Sequence, residues 1–188
     1  MRIEIGTSDF ETGAGYEPGL YVEPVEYYFN RLPNRVGCIK ERAAISNYEG
    51  EIKVYYIPPE IITKCNLPNY LRGCNSINSP HPTAVRDLRA VNLSADLIAV
   101  QVVPVMRIKT LFQKHNVTEV NYLKVDTEGH DYVILNDLFD TMSLKPRLIK
   151  AEANSLTAKT DIQKLINRLE SLNYSVVHHG DDILATLK

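Results

Sequence analysis

Hydrophobic positions along this chain switch repeatedly between strand-like and helix-like spacing, and each switch marks an element. Arg2 to Ile5 predicts a short strand, followed by the loop GTSDFETGAG, where Gly6, Gly13 and Gly15 permit backbone conformations that other residues resist. Gly19 to Val22 predicts a second strand closed by Glu23 and Pro24, and VEYYFNRL then reads as a helix with Tyr27, Tyr28 and Leu32 on its buried stripe. A third strand is expected over Gly37 to Ile45, ending at Ser46 and Asn47, and a fourth over Glu51 to Ile57. From Pro58 to Pro82, five prolines, several asparagines and two cysteines interrupt any period, so an irregular loop insert is expected at about 58–96.

The second half alternates more regularly. A strand over Leu97 to Val105 leads through the helix IKTLFQKHN, with Leu111 and Phe112 inward, to a strand over Asn121 to Val125. The helix DYVILNDLFD and a strand over Arg147 to Glu152 follow. Asp161 to Leu172 places Ile162, Leu165, Ile166 and Leu169 on one helical face, and two last strands, Tyr174 to His178 and Ile183 to Leu187, are joined across Gly180 and Asp181 as a hairpin. This order predicts an α/β fold: a mostly parallel sheet with helices on both faces and an antiparallel hairpin at one edge.

At 188 residues the chain is expected to form one domain, and 44% hydrophobic with 23% charged residues is the composition of an ordinary globular protein. A formal net charge of −2 offers no global attraction to nucleic acid or anionic lipid. Cys38, Cys65 and Cys74 are odd in number and lack paired metal-ligand spacing, which indicates neither a disulfide framework nor a zinc site. The opening MRIEIGTSDF has no long apolar core, and no stretch approaches the roughly 18 apolar residues of a membrane span, so a cytoplasmic protein is expected. The sequons at Asn92, Asn116 and Asn173 are then idle.

Candidate chemistry concentrates in YLKVDTEGHDY, where a short strand runs into Asp126, Glu128 and His130 before a helix. Ligands of open α/β sheets bind at such carboxyl ends. A second signal lies in the first two strands: a glycine turn lets the backbone approach a ligand, and Glu23, 17 residues after Gly6, stands where a carboxylate can accept from both hydroxyls of a ribose. Glu152 is expected on the same rim as the acidic turn, and Asn75, Ser76 and His81 of the insert are expected to form part of an acceptor wall. Arg72, Arg86 and Arg89 are candidates for phosphate or carboxylate.

Four segments in order, IEIGTSDFET, GLYVEPVEYYFNRL, AAISNYEG and YLKVDTEGHDYVIL, resemble the FkbM family of S-adenosylmethionine-dependent methyltransferases over roughly Ile3 to Glu152. The resemblance implies a Rossmann-like class I fold with a seven-stranded sheet, one S-adenosylmethionine-binding domain, and S-adenosylhomocysteine as product, with no metal required. Carried over by position, it implies that Glu4, Gly6, Thr7, Ser8 and Asp9, with Phe10, surround the methionyl part of the cofactor. Glu23 and Pro24 would hold the ribose, Ser46 and Asn47 would lie beside the adenine, and Asp126, Glu128 and His130 would face the transferred methyl group. The chain departs from the family pattern at Phe10, where a glycine is common, at Asn47, where an aspartate is usual, and at Asp131, where glutamate is frequent. Against that pattern, a helix before the first strand that would cover the cofactor is expected to be missing.

The reaction expected is methyl transfer to a hydroxyl of a sugar, glycan or small molecule, with Asp126 or His130 taking the proton and Glu128 and Glu152 orienting the acceptor. Two alternatives stay open. A ribose 2′-O-methyltransferase acting on RNA would use Asp126, Lys150 and Glu152 but lacks a first lysine, and the acidic balance argues against nucleic acid. A catalytically silent S-adenosylmethionine-binding partner subunit would bind the cofactor without turnover. The acceptor's identity and the oligomeric state are not encoded in any motif.

Overall fold

The computed structural model describes residues 1–8 and 12–188, so the expectations placed on Asp9 and Phe10 fall outside the described residues. The chain builds two sheets. The larger runs in the order β10-β11-β9-β8-β1-β2-β3, from β1 (Arg2–Ile5), β2 (Gly19–Val22), β3 (Cys38–Glu41), β8 (Tyr122–Val125), β9 (Leu148–Glu152), β10 (Tyr174–His179) and β11 (Asp182–Leu187). β3, β2, β1, β8 and β9 are parallel; β11 joins β9 antiparallel and β10 closes the edge. The hairpin turns at Gly180 with φ +61, the residue type and sign that a two-residue II′ turn needs at its first position. The mixed α/β fold, the mostly parallel seven-stranded sheet and the terminal hairpin therefore follow the sequence expectation.

Alternation along the strands gives the sheet two unlike faces. Ile3, Ile5, Leu20, Val22, Leu123, Val125, Ile149 and Ala151 point one way into the main core. Three helices cover them: α4 (Ile108–Lys114) through Leu111 and Phe112, α5 (Asp131–Thr141) through Ile134, Leu135 and Leu138, and α6 (Lys159–Ser171) through Leu165 and Leu169. The opposite face carries Arg2, Glu4, Tyr21, Lys124 and Lys150. Here α1 (Glu26–Arg31) and the loop before β2 pack Leu32, Phe29 and Ala14 on Tyr21, while Leu184 and Val177 toward the hairpin edge remain exposed. Helices thus cover one face fully and the other only in part, because the second face offers charged side chains where a helix would need an apolar stripe.

The third expected strand divides. β3 ends at Glu41 and β4 (Ala44–Ser46) belongs to the second sheet, in the order β4-β7-β5-β6, with β5 (Gly50–Tyr56), β6 (Ser76–Ile77) and β7 (Ala99–Arg107). The ladder between β2 and β3 ends at the bond from Glu23 N to Glu41 O, 3.1 Å. Beyond it Pro24 has no N–H, and Val25 N–H is taken by the Glu23 carboxylate at 2.8 Å, so β3 loses its partner and leaves the sheet. Tyr27 also differs from expectation. Tyr28 and Leu32 are four apart and both buried, whereas Tyr27, one position off that stripe, is 36% exposed.

The stretch expected to be a loop is largely regular: α2 (Pro59–Lys64), a 3-10 turn at Asn69–Arg72, β6, α3 (Pro82–Ala90) and a 3-10 turn at Ala95–Leu97. Its prolines open elements rather than break them, since Pro59 and Pro82 sit in the first turns of α2 and α3, where no intrahelical N–H is lost. Ile57, Ile62, Leu67, Leu71, Ala84, Leu88 and Ile98 close a separate small core beneath it.

Candidate active site

The carboxyl ends of β1, β2, β8 and β9 converge on one pocket of about 480 Å³, within the range of roughly 300–1,000 Å³ usual for small-molecule and cofactor sites. Gly6, Thr7, Ser8, Glu23 and Pro24 line one end, and Asp126, Thr127, Glu128, His130 and Glu152 line the acidic corner. The wall opposite comes from β4 and β5, with Ala44, Ile45 and Val54, and from the insert, with Tyr70, Gly73, Asn75, Ser76 and Ile77.

Gly6 makes the convergence possible. It has φ +80, and a Cβ there would stand 1.9 Å from the carbonyl oxygen of Asp126, so no other residue fits between the first turn and the acidic turn. Glu23 is buried, and its oxygens accept from Val25 N at 2.8 Å, Ser8 N at 2.6 Å and Thr7 Oγ1 at 3.4 Å. Burial pushes its carboxyl up to about 7 against those bonds. A further bond from the Thr7 backbone holds the same carboxyl, which lines the pocket.

Asp131, absent from the candidates drawn from sequence except as a family departure, braces the acidic turn. Its buried carboxylate accepts from Thr127 N at 2.9 Å, from the Thr127 hydroxyl, and from Glu152 N at 2.7 Å, tying the end of β9 to the turn after β8. Burial pushes Asp131 up to about 7. Asp126, Glu128 and Glu152 each bring a carboxylate oxygen within 4.8 Å of the others. Crowding of this kind is relieved by a proton or a cation. Burial, with Glu128, Asp126 and Asp131 nearby, pushes Glu152 up to about 9, a value at which the group keeps its proton at neutral pH. Burial raises Asp126 as well, opposed by Lys124, whose Nζ lies 3.1 Å from Asp126 Oδ2. Lys150, paired with Asp182 at 3.1 Å, and both hairpin-tip residues Asp181 and Asp182 also line the pocket.

A model of the methyltransferase FkbM domain matches residues 8–176. The chain belongs to the FkbM methyltransferase family. No curated protein and no solved structure matches it.

Several residues that the FkbM resemblance brought into the cofactor site stand just outside the pocket. Glu4 is buried under the first loop, with Arg2 Nε at 2.6 Å and Gly13 N at 3.0 Å, and straps that loop to the sheet. Ser46 lies behind the wall with its Oγ 2.9 Å from His130 Nε2, and Asn47 is exposed beside it. Asn75 and Ser76 line the pocket, whereas His81 is buried outside its lining, bonded to Glu128. None of Arg72, Arg86 and Arg89 is a lining residue. The residues missed from sequence, Lys124, Thr127, Tyr70, Asp181 and Asp182, lie on strand ends or turns whose place at the pocket depends on sheet order. Only Lys124, two before Asp126, carried a readable signal: a charge inside an apolar strand. Among the described residues no helix is long and apolar enough to cross a membrane.

Proposed function

We propose that this FkbM-family methyltransferase is an S-adenosylmethionine-dependent O-methyltransferase acting on a hydroxyl of a sugar, glycan or small molecule, with a single Rossmann-like class I domain. The observation that carries the reading is one pocket with Glu23 at one end and the acidic corner at the other, across strands in the order 3-2-1-8-9. The residues fit the cofactor: Gly6 gives backbone access, and Glu23 sets a carboxyl at the pocket wall for a ribose hydroxyl. When bound, the sulfonium supplies the methyl group, its C–S electron pair staying on sulfur as the new O–C bond forms. The chain's own work is to align the acceptor, exclude water and take the hydroxyl proton. A cytoplasmic location accords with three free cysteines.

Lys124 supplies the lysine that the RNA reading lacked, since Lys124, Asp126, Lys150 and Glu152 all line the pocket. The lining nonetheless carries six acidic side chains, Glu23, Asp126, Glu128, Glu152, Asp181 and Asp182, against these two lysines, and with Glu152 protonated and Glu23 partly so the acids still outnumber the lysines. That balance repels a phosphate backbone and suits a neutral polyol. Calorimetry with S-adenosylhomocysteine, paired with S-adenosylhomocysteine release from S-adenosylmethionine in the presence of methyl hexosides, glycerol or a short RNA, tests the reading. Release with a hexoside or glycerol supports it; release with RNA alone favours the ribose enzyme, binding without release the silent subunit, and no binding removes all three.

A further inference from the structure

The three crowded carboxylates are held in three different ways. Asp126 is paired with Lys124. Glu152 carries its proton at neutral pH, and its Oε2 has no hydrogen-bond partner among the described residues. Glu128 accepts two uncharged donors on one oxygen: His81 Nε2 at 3.1 Å and Asn154 Nδ2 at 3.2 Å, both to Oε2.

Each donor is itself oriented by a second bond. Thr83 N–H donates to His81 Nδ1 at 3.1 Å, which leaves the ring proton on Nε2, facing Glu128. Leu156 N–H donates to Asn154 Oδ1 at 2.9 Å, which turns the amide NH2 toward the same carboxylate. The backbone is held as firmly. Glu128 has φ +52, a left-handed conformation rare for its type, and Gly129 follows at φ +92 with Leu156 Cβ 2.8 Å from where its own Cβ would be. Such an arrangement fixes Oε2 and leaves Oε1 for the pocket that Glu128 lines.

Resting on the O-methyltransferase reading, we propose that Glu128 takes the proton of the acceptor hydroxyl and that His81, which touches no ligand, is the positioning residue that fixes it. As the acceptor oxygen gains the methyl group, its O–H bond breaks, the proton passes to Glu128 Oε1, and from there it returns to water. The two other candidates are less suited. Asp126 has its Oδ2 taken by Lys124 at 3.1 Å, while His130 has Nε2 committed to Ser46 and is made a weaker base by burial. His81 stands at the start of α3 in the insert, so the insert that walls the acceptor site also sets the base.

Two measurements test this. In long-range 1H–15N spectra of protein labelled at histidine, assigned with His81→Gln, the His81 proton is expected on Nε2, and Glu128→Gln should move the His81 signals while leaving those of His178 and His179 in place. A proton on Nδ1, or signals indifferent to Glu128→Gln, overturns the contact. In turnover with the methyl hexoside or glycerol used above, His81→Phe should lower kcat by roughly 10–100-fold, the loss of a hydrogen bond to a charged group, with the S-adenosylhomocysteine Kd within about twofold. His81→Gln, which keeps an N–H donor, should recover most of the rate, and His81→Phe should cost nothing further in a Glu128→Gln background. Equal losses in kcat and Kd, no recovery by Gln, or full additivity overturn the role. If His81→Phe does not fold, Asn154→Ala removes the other donor and should give the same split. Wild-type protein that releases no S-adenosylhomocysteine removes the methyltransferase reading and the base with it, while the spectra still decide the His81 contact.

Discussion

In the proposed function, Glu23 joins cofactor affinity to pH at a single residue. Buried and titrating near 7, it offers its ligand a carboxylate that is mostly protonated at pH 6 and mostly ionised at pH 8. A ribose hydroxyl donates to the ionised form, so S-adenosylhomocysteine affinity should rise by about tenfold over that interval, the change in ionised fraction for one group of that pKa. Calorimetry at the two values measures it, and a Kd equal at both would remove Glu23 from the ribose. Elsewhere the residue scale explains the three sequons. Asn92, Asn116 and Asn173 have positive φ and each ends a helix, as does Asn66. Asn116 N bonds Gln113 O at 3.2 Å and Val117 N bonds Phe112 O at 2.8 Å, the paired closure of a helix by a left-handed residue followed by an apolar one; Asn66 with Leu67 and Asn92 with Leu93 repeat it. An Asn116→Ala exchange should therefore cost about 1 kcal/mol, the penalty for a Cβ-bearing residue without asparagine's local bonds in that region, while Asn116→Gly should be neutral. Urea unfolding of both variants checks the pair, and equal stabilities would argue that the cap does not matter. These asparagines were readable as helix stops; taken as sequons they told nothing.

At the scale of elements, what local pattern encodes was legible and what pairing decides was not. β1, β2, β8, β9, α5, α6 and the hairpin stand within a residue or two of expectation because periodicity and turn residues are local signals. The division of β3 from β4 depends on where the β2 ladder runs out, which is a property of the neighbouring strand. The insert was obscured by its prolines, read as breakers where they open helices. The site followed the same rule: the acidic turn and Glu23 are motifs, while Tyr70 and Asp182 arrive by tertiary folding. Because the insert closes a core of its own, it should open as a unit before the main sheet does. Leu88, fully buried in that core, is the lever. Truncating it to Ala should cost about 2–5 kcal/mol locally and speed hydrogen exchange in α2, α3 and β6 while leaving β1 and β8 protected. Uniform acceleration across both sheets would mean that insert and sheet unfold together.

For the molecule as a whole, the pocket's acids set how stability varies with pH. Glu23 and Asp131 near 7 and Glu152 near 9 are all raised above their unfolded values near 4. A carboxyl that holds its proton more tightly when folded makes the native state bind more protons than the unfolded one between the two pKa values, so stability falls as pH rises through that window. His130 acts oppositely: burial lowers it from 6.5, and its contribution grows as pH rises toward that value. The two trends overlap below 6.5, and above it only the acids remain. Between pH 7 and 8.5 the slope should come chiefly from Glu152, and the urea midpoint of the ligand-free protein should fall steadily across that range. Glu152→Gln, which cannot ionise, should flatten the decline and leave the protein more stable at pH 8.5 than the wild type. A wild-type midpoint that holds level or climbs from pH 7 to 8.5 would mean that Glu152 is already charged at neutral pH, and that the acidic corner relieves its crowding by something other than a proton.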